Sequence, residues 1–177
     1  MVRVREMTAG DIDAVARIRV RGWRFAYAGI MPQAYLDGLS VRENAERLRE
    51  FFARAGTAGS AVTNLVAEDA GAVTGWACFG AARDGDAVPG DGELYALYVR
   101  PELIGAGIGR ALTAASLAGA AERGFSRLLL WVVRDNARAR RFYERAGFAA
   151  DGGAEAYEVA GVPVPEVRYA LEVGRTF

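Results

Sequence analysis

The sequence has no histidine and a single cysteine among its 177 residues. Without an imidazole there is no Ser-His-Asp or Cys-His machinery, and no histidine-bound zinc or iron. The lone thiol, Cys78, closes no internal disulfide and builds no multi-thiolate metal centre, so no metal is expected. Lysine is missing too. All 22 basic residues are arginine, which removes a phosphate-loop lysine and a Schiff-base lysine. The longest clean apolar run, Leu128-Leu-Leu-Trp-Val-Val133, falls far short of the roughly 18–20 residues of a membrane span. Met1-Val-Arg-Val-Arg-Glu carries no apolar export stretch, so the expected location is the cytoplasm, with no membrane partner. The 22 basic residues are balanced by 22 acidic ones, so no broad field draws the chain to nucleic acid. Proton chemistry here falls to Asp, Glu, Tyr, Arg, a terminal amine or water.

What is present is a folded chain: 52% hydrophobic and 10% aromatic residues, at a length that suits one domain spanning 1–177. Alternation predicts a strand over 2–6. Thr8 to Asp11 supply helix-start chemistry, and Ile12, Val15, Ile18, Trp23 and Tyr27 follow at helical spacing until Gly29 and Pro32 intervene. A short helical turn is expected over 32–37. Ser40-Val-Arg-Glu43 reads as a capping box opening a helix over 41–54 that ends near Gly56, with Leu48, Phe51 and Phe52 facing the core. Strands over 61–68 and 72–81 flank a turn at Asp69-Ala70-Gly71, and a loop over 83–92 leads to a strand over 93–100. A helix from the glycine-rich turn at 105–109 to Arg123, an apolar strand over 126–133 with both faces covered, and a helix opening at Asn136 and closing at Gly147 follow. Strands over 154–160 and 164–173, parted by Gly161-Val-Pro163, end the chain. The order predicts a mixed α/β fold with an antiparallel front half and a parallel strand pair joined by a right-handed crossover.

Local chemistry is sharpest where a strand, Leu94-Tyr-Ala-Leu-Tyr-Val99, runs into Gly105-Ala-Gly-Ile-Gly109-Arg110 and a helix begins. Glycines admit close backbone approach, and the N–H groups of a first helical turn present positive character suited to a pyrophosphate. The Walker pattern fails for want of a lysine. The dinucleotide pattern G-x-G-x-x-G fails because Arg110 or Leu112 holds its last glycine position. Tight helix–strand packing explains such a turn equally well.

Joined to Asn136-Ala-Arg-Ala-Arg-Arg-Phe-Tyr143-Glu-Arg-Ala-Gly147-Phe148, this turn closely resembles the GNAT superfamily of acyl-CoA-dependent N-acetyltransferases over residues 93–148. Trp23-x-x-x-Tyr27-x-Gly-Ile-Met-Pro32 and Leu36-Asp-x-Leu-Ser40 are similar to the acceptor-side helices of bacterial members. The resemblance implies a mainly antiparallel sheet with a central, splayed parallel pair flanked by helices. It implies acetyl-CoA as co-substrate, its pyrophosphate on the backbone of Gly105, Ala106, Gly107, Ile108, Gly109 and Arg110, and its pantetheine arm along Leu97, Tyr98 and Val99. Asn136 matches the asparagine that touches that arm, and Tyr143 matches the tyrosine that protonates the departing CoA thiolate. By the same resemblance Glu93, at the position where some members place a glutamate, is the candidate base that takes the amine proton through water. A plain edge-strand charge is the competing reading, and Asp37 is a weaker alternative. Ile104 and Ala106 depart from the family's usual polar or basic residues, and Arg110, Arg138 and Arg141 are the cations placed to compensate.

Trp23, Tyr27, Trp76, Phe79 and Tyr95 are candidates for the acceptor pocket, with about two of the five expected to line it because most aromatics in such a domain are core. The favoured acceptor is a small-molecule primary amine. A protein N-terminus or lysine, an aminoacyl-tRNA, and a non-catalytic acyl-CoA-binding role remain alternatives. Dimers are frequent among such enzymes, so a homodimer is also among the expectations.

Overall fold

The computed structural model describes residues 1–55 and 62–174; the expected helix stop at Gly56 and strand start at Ala61 lie outside them. Seven strands form one sheet in the order β1-β2-β3-β4-β5-β7-β6. These are β1 (Arg3–Glu6), β2 (Val62–Asp69), β3 (Ala72–Ala81), β4 (Asp91–Val99), β5 (Arg127–Val133), β6 (Ala149–Val159) and β7 (Val162–Glu172). Helices α1 (Ile12–Ala26), α2 (Gln33–Asp37) and α3 (Val41–Ala55) precede β2, while α4 (Ile108–Glu122) and α5 (Ala137–Arg145) flank β5 in sequence. Among the described residues only β4 and β5 run parallel, so the architecture is the mainly antiparallel, helix-flanked sheet expected.

Each face of the sheet carries its own core. On one, Phe79, Leu94, Leu112, Leu128, Leu130 and Tyr169 pack beneath α4. On the other, Val15, Ile18, Leu48, Val66 and Trp76 join α1 and α3 to the sheet. The strand period of two sends Ala77 and Phe79 one way and Trp76 and Cys78 the other. On α3, Ala45, Leu48 and Phe52 share the inward stripe, whereas Phe51 falls off it and is exposed, against expectation.

Two differences from the sequence reading have clear causes. The last hairpin turns at Ala160-Gly161, both at positive φ as a two-residue turn requires, so β7 includes Pro163 and Pro165. The carbonyl of Pro165 accepts from Arg134 N–H just where β5 ends, so this edge of β7 needs no further N–H and tolerates both prolines. β4 begins two residues early because Asp91 and Gly92 pair with β5.

The feature that makes a site is the parting of β4 from β5. Their parallel ladder holds only Asp91↔Arg127, Gly92↔Leu128 and Glu93↔Leu129. Across β3 the register jumps from Phe79↔Leu94 to Cys78↔Ala96, leaving Tyr95 as the extra residue of a bulge. A bulge bends and twists its strand. Beyond it, β4 diverges from β5 and leaves that edge of its backbone without a strand partner.

Candidate active site

The divergence opens a cleft of about 1090 Å³ between β4, β5, the start of α4 and the inward face of α5. Its walls include Leu97, Tyr98 and Val99 of β4, the loop 103–107, Gly109 and Arg110, Trp131 and Val132 of β5, and Asn136 and Tyr143.

The loop into α4 is shaped by Gly105 and Gly107, at φ of 96° and 85°, where an L side chain is strained. Gly107 is the N-cap and has no side chain to cap with, so the first-turn N–H groups of α4 stay open to an acceptor from the cleft. Ala106 differs: its N–H donates to the Leu103 carbonyl at 3.2 Å, so it is spent on the turn and is no free donor, unlike the expectation. A Cβ on Gly109 would stand 3.2 Å from the Phe142 ring, and one on Gly75 would stand 2.9 Å from Ile108 and Leu112. Close packing thus fixes the loop against β3 and α5.

Tyr143 lines the cleft with its ring edge-on to Phe142 and Phe148, at 5.2 and 5.8 Å between centres. Burial, then the neighbouring Tyr98, pushes its phenol well above the usual range, so it holds its proton at neutral pH. Burial raises Tyr98 and Tyr27 likewise, and Tyr27 feels Tyr98, Tyr143 and Glu166 in turn. Tyr27, Tyr98 and Tyr143 therefore line one cleft within electrostatic reach of one another. Asn136 caps α5 by accepting from Ala139 N–H at 3.2 Å, and it also faces the cleft.

Other expected residues fall elsewhere. Of the five aromatics, Tyr27 and Tyr95 line the cleft. Trp23 sits behind Tyr27, edge-on at 5.1 Å; Trp76 is buried with its indole N–H on Asn64; Phe79 is fully buried against Gly119. These three are core, not pocket wall. Arg141 is exposed and off the cleft, because the stripe of α5 that faces it carries Arg138, Phe142 and Arg145. Arg138 lies 4.3 Å above the Phe25 ring at the cleft mouth.

Glu93 is buried, but it is not a cleft wall. Its carboxylate accepts from Arg83 Nη2 at 2.6 Å, from Nε at 3.2 Å and from the Arg83 backbone N–H at 3.1 Å. The same guanidinium lies 4.0 Å over the Tyr95 ring, whose hydroxyl donates to the Ala81 carbonyl. The carboxylate expected to act as base is thus committed to an arginine and anchors the bulge. Asp37 is exposed and accepts from Gln33 at 2.8 Å, away from the cleft. Cys78 is buried among apolar neighbours and its thiol is pushed up to about 12 by burial, which makes it inert.

Two features escaped sequence reasoning. Trp131 is half-buried and lines the cleft, its indole N–H shared between the Asp84 oxygens at 3.0 and 3.1 Å. An unbroken apolar run gave no sign that one member would face a gap. Glu166 of β7 stands beside Val133 and Glu155 on the neighbouring strands, and burial, then Glu155, pushes its carboxyl up to about 7. Nothing in the local pattern of β7 separates it from a surface charge.

A family model for the acetyltransferase (GNAT) family matches residues 24–148. The chain is 35% identical over 169 residues to the uncharacterized N-acetyltransferase YuaI of Bacillus subtilis (strain 168), covering 94% of this chain and 91% of that protein. A 60-residue stretch is 47% identical to the mycothiol acetyltransferase of Kocuria rhizophila, covering 34% of this chain and only 20% of that protein. Among solved structures, the PaiA N-acetyltransferase of Thermoplasma acidophilum in complex with coenzyme A superposes with a TM-score of 0.76, covering 97% of this chain and 99% of that one. At 20% identity, that likeness speaks to the fold.

Proposed function

The chain belongs to the GNAT acetyltransferase family, and on that premise we propose that it transfers the acetyl group of acetyl-CoA directly to a primary amine of a small molecule. The observation that carries this reading is the cleft itself: an edge of β4 freed from β5, leading to an uncapped helix start at one end and to Tyr143 along its wall.

The parts fit a CoA thioester. Gly105, Gly107 and the first-turn N–H groups of α4 form a cradle for the pyrophosphate, aided by Arg110, Arg138 and Arg145 at the cleft wall. The unpaired edge of β4 around Leu97 and Val99 offers main-chain groups to the pantetheine amides, and an N–H there polarises the thioester oxygen. Asn136 orients the arm from the start of α5. Tyr143 gives its proton to the departing sulfur; the burial that raises the phenol also raises the basicity of the thiolate, so the two stay matched. Transfer is direct, because Cys78 is buried and inert and there is no histidine to activate a nucleophile.

A small acceptor is favoured by aromatic walls, Tyr27, Tyr95 and Trp131, around a limited space. A tRNA acceptor is disfavoured by the arginines of α1. Of its four, Arg21 pairs with Glu102 at 3.1 Å and Arg24 donates to the carbonyls of Leu36, Asp37 and Leu39, so these two are committed within the fold. The deciding experiment offers acetyl-CoA with small primary amines, N-terminal peptides and aminoacyl-tRNA, and identifies acetylated product by mass spectrometry. Acetylation of small amines is expected; acetylation confined to peptide or tRNA would overturn the assignment of acceptor.

A further inference from the structure

Most buried or half-buried carboxylates here sit against an arginine. Asp11 is held by Arg5, Asp91 by Arg127, Glu93 by Arg83, and Asp84 and Asp151 by Arg168. Asp69 takes the Met1 ammonium, and Glu166 has no such partner. It is half-buried, and no ion pair or hydrogen bond joins its side chain to any described residue. Directly across the β6–β7 ladder stands a second carboxylate, Glu155. Two like charges opposite one another on neighbouring strands are unfavourable, and a proton taken up by one of them or a cation from outside relieves the pair.

The position of Glu166 says where that cation comes. Val164 packs with Tyr27, Met31 and Leu36, while Val167 and Tyr169 pack on the opposite face of the sheet. Alternation along β7 therefore turns Glu166 toward α1 and α2, the acceptor side. The groups that face it are Tyr27 from α1, Tyr98 from β4 and Glu155 from β6; β5 offers only Val133, and α2 brings Leu36 and Tyr35 to the same cluster. Glu166 is not itself a cleft wall; it faces the cleft by way of Tyr27 and Tyr98, which line it beside Tyr143 and both feel its charge.

We propose that Glu166 receives the proton of the acceptor amine, which enters as an ammonium ion drawn to the Glu155–Glu166 pair. This rests on the acetyl-transfer reading and assigns to Glu166 the role first expected of Glu93. Glu166 takes one proton from the ammonium and leaves the neutral amine. The nitrogen lone pair forms the C–N bond, the C–S bond breaks, and the sulfur takes the proton of Tyr143. Tyr143 recovers a proton from the acylated nitrogen, and Glu166 releases its own to solvent. The nitrogen thus loses two protons, one to Glu166 and one by way of Tyr143 to the thiol. A carboxyl poised near neutrality is suited to this exchange.

The test uses the full chain labelled with 13C-glutamate, with tyramine, spermidine, glucosamine and glycinamide as amine probes. One carboxyl signal, absent from Glu166→Gln, is expected to titrate near neutrality; titration in the ordinary range about pH 4.3 would overturn the proposal. With the amine that turns over fastest, Glu166→Gln is expected to lower kcat by about 10²–10⁴-fold while CoA still raises Tm, and to erase the acidic limb of the pH profile. Glu155→Gln removes a like charge, so it is expected to move that limb to lower pH. Turnover with an unchanged profile in Glu166→Gln would overturn the role of Glu166 alone. No turnover of any amine by the wild type would overturn the acetyl-transfer reading, and the proposal with it.

Discussion

Gly22 of α1 backs onto the ring of Tyr98 so closely that a Cβ at Gly22 would stand 2.9 Å from Tyr98 Cδ1. That approach seats α1 on the diverging half of β4 and brings Tyr27 to the same cleft. Gly22→Ala gains about 1 kcal/mol of helix propensity but forces the Tyr98 ring to shift, at a cost of about 1–3 kcal/mol. A small fall or no change in Tm with a clear fall in kcat/KM is expected. A rise in Tm with full activity would show that Tyr98 has room to move.

Gly107, at φ 85°, caps α4 in the left-handed region with only Arg110 Nη2 near a would-be Cβ, at 3.7 Å. The cost of Gly107→Ala is thus backbone strain of about 1–2 kcal/mol rather than a clash. CoA affinity, measured calorimetrically, is expected to fall about tenfold. Unchanged affinity would remove this turn from the phosphate cradle.

Acid stability has a local origin. Arg5 donates to both oxygens of Asp11 at 2.7 and 2.9 Å, and Thr8 N–H donates at 2.8 Å. The arginine, against the cost of burial, holds the Asp11 carboxyl down to about 2. A lowered folded pKa adds stability above the unfolded value near 3.9, and that stability is lost as pH falls toward 2. Its size is about 2 kcal/mol. Urea titrations across pH 2–5 are expected to show this loss in the wild type and a flatter dependence in Asp11→Asn.

Glu93 and Glu166 divide structural from chemical work. Arg83→Met leaves the buried Glu93 carboxylate unpaired, and a loss of about 3 kcal/mol is expected by denaturant unfolding. Glu93→Gln is expected to lower Tm and keep the acidic limb of the pH–rate profile. Loss of that limb would return the proton-accepting role to Glu93.

The sequence carried most of the fold because its signals are local. Glycines at turns, the Ser40 cap and alternating strands mark element ends, and the turn at 105–109 and Tyr143, both singled out by motif, lie on one cleft. What stayed hidden depends on long-range register. The bulge at Tyr95 parts β4 from β5 through a one-residue slip against β3. That slip leaves Trp131 facing a gap, while Trp76 and Phe79 are core because helices cover both faces of β3. Glu93 looked free because its partner, Arg83, lies in a loop ten residues away with no local pattern linking them. Glu166 carries no local signal because its neighbours, Glu155 and Tyr27, come from other elements. Of the expected cations Arg110, Arg138 and Arg141, only Arg141 lies off the cleft, because helical phase puts Arg145 beside Arg138 on that side.

The central claim is acetyl transfer in the β4–β5 cleft with Tyr143 as proton donor to sulfur. The most direct test measures free thiol released from acetyl-CoA in the presence of small amines, for the wild type and Tyr143→Phe, beside the rise in Tm that CoA produces. Amine-dependent thiol release by the wild type is expected, reduced about 10²–10⁴-fold in Tyr143→Phe, with the same CoA-induced rise in both. Equal release by the two proteins, or stabilisation by CoA with no release from the wild type, would contradict the account.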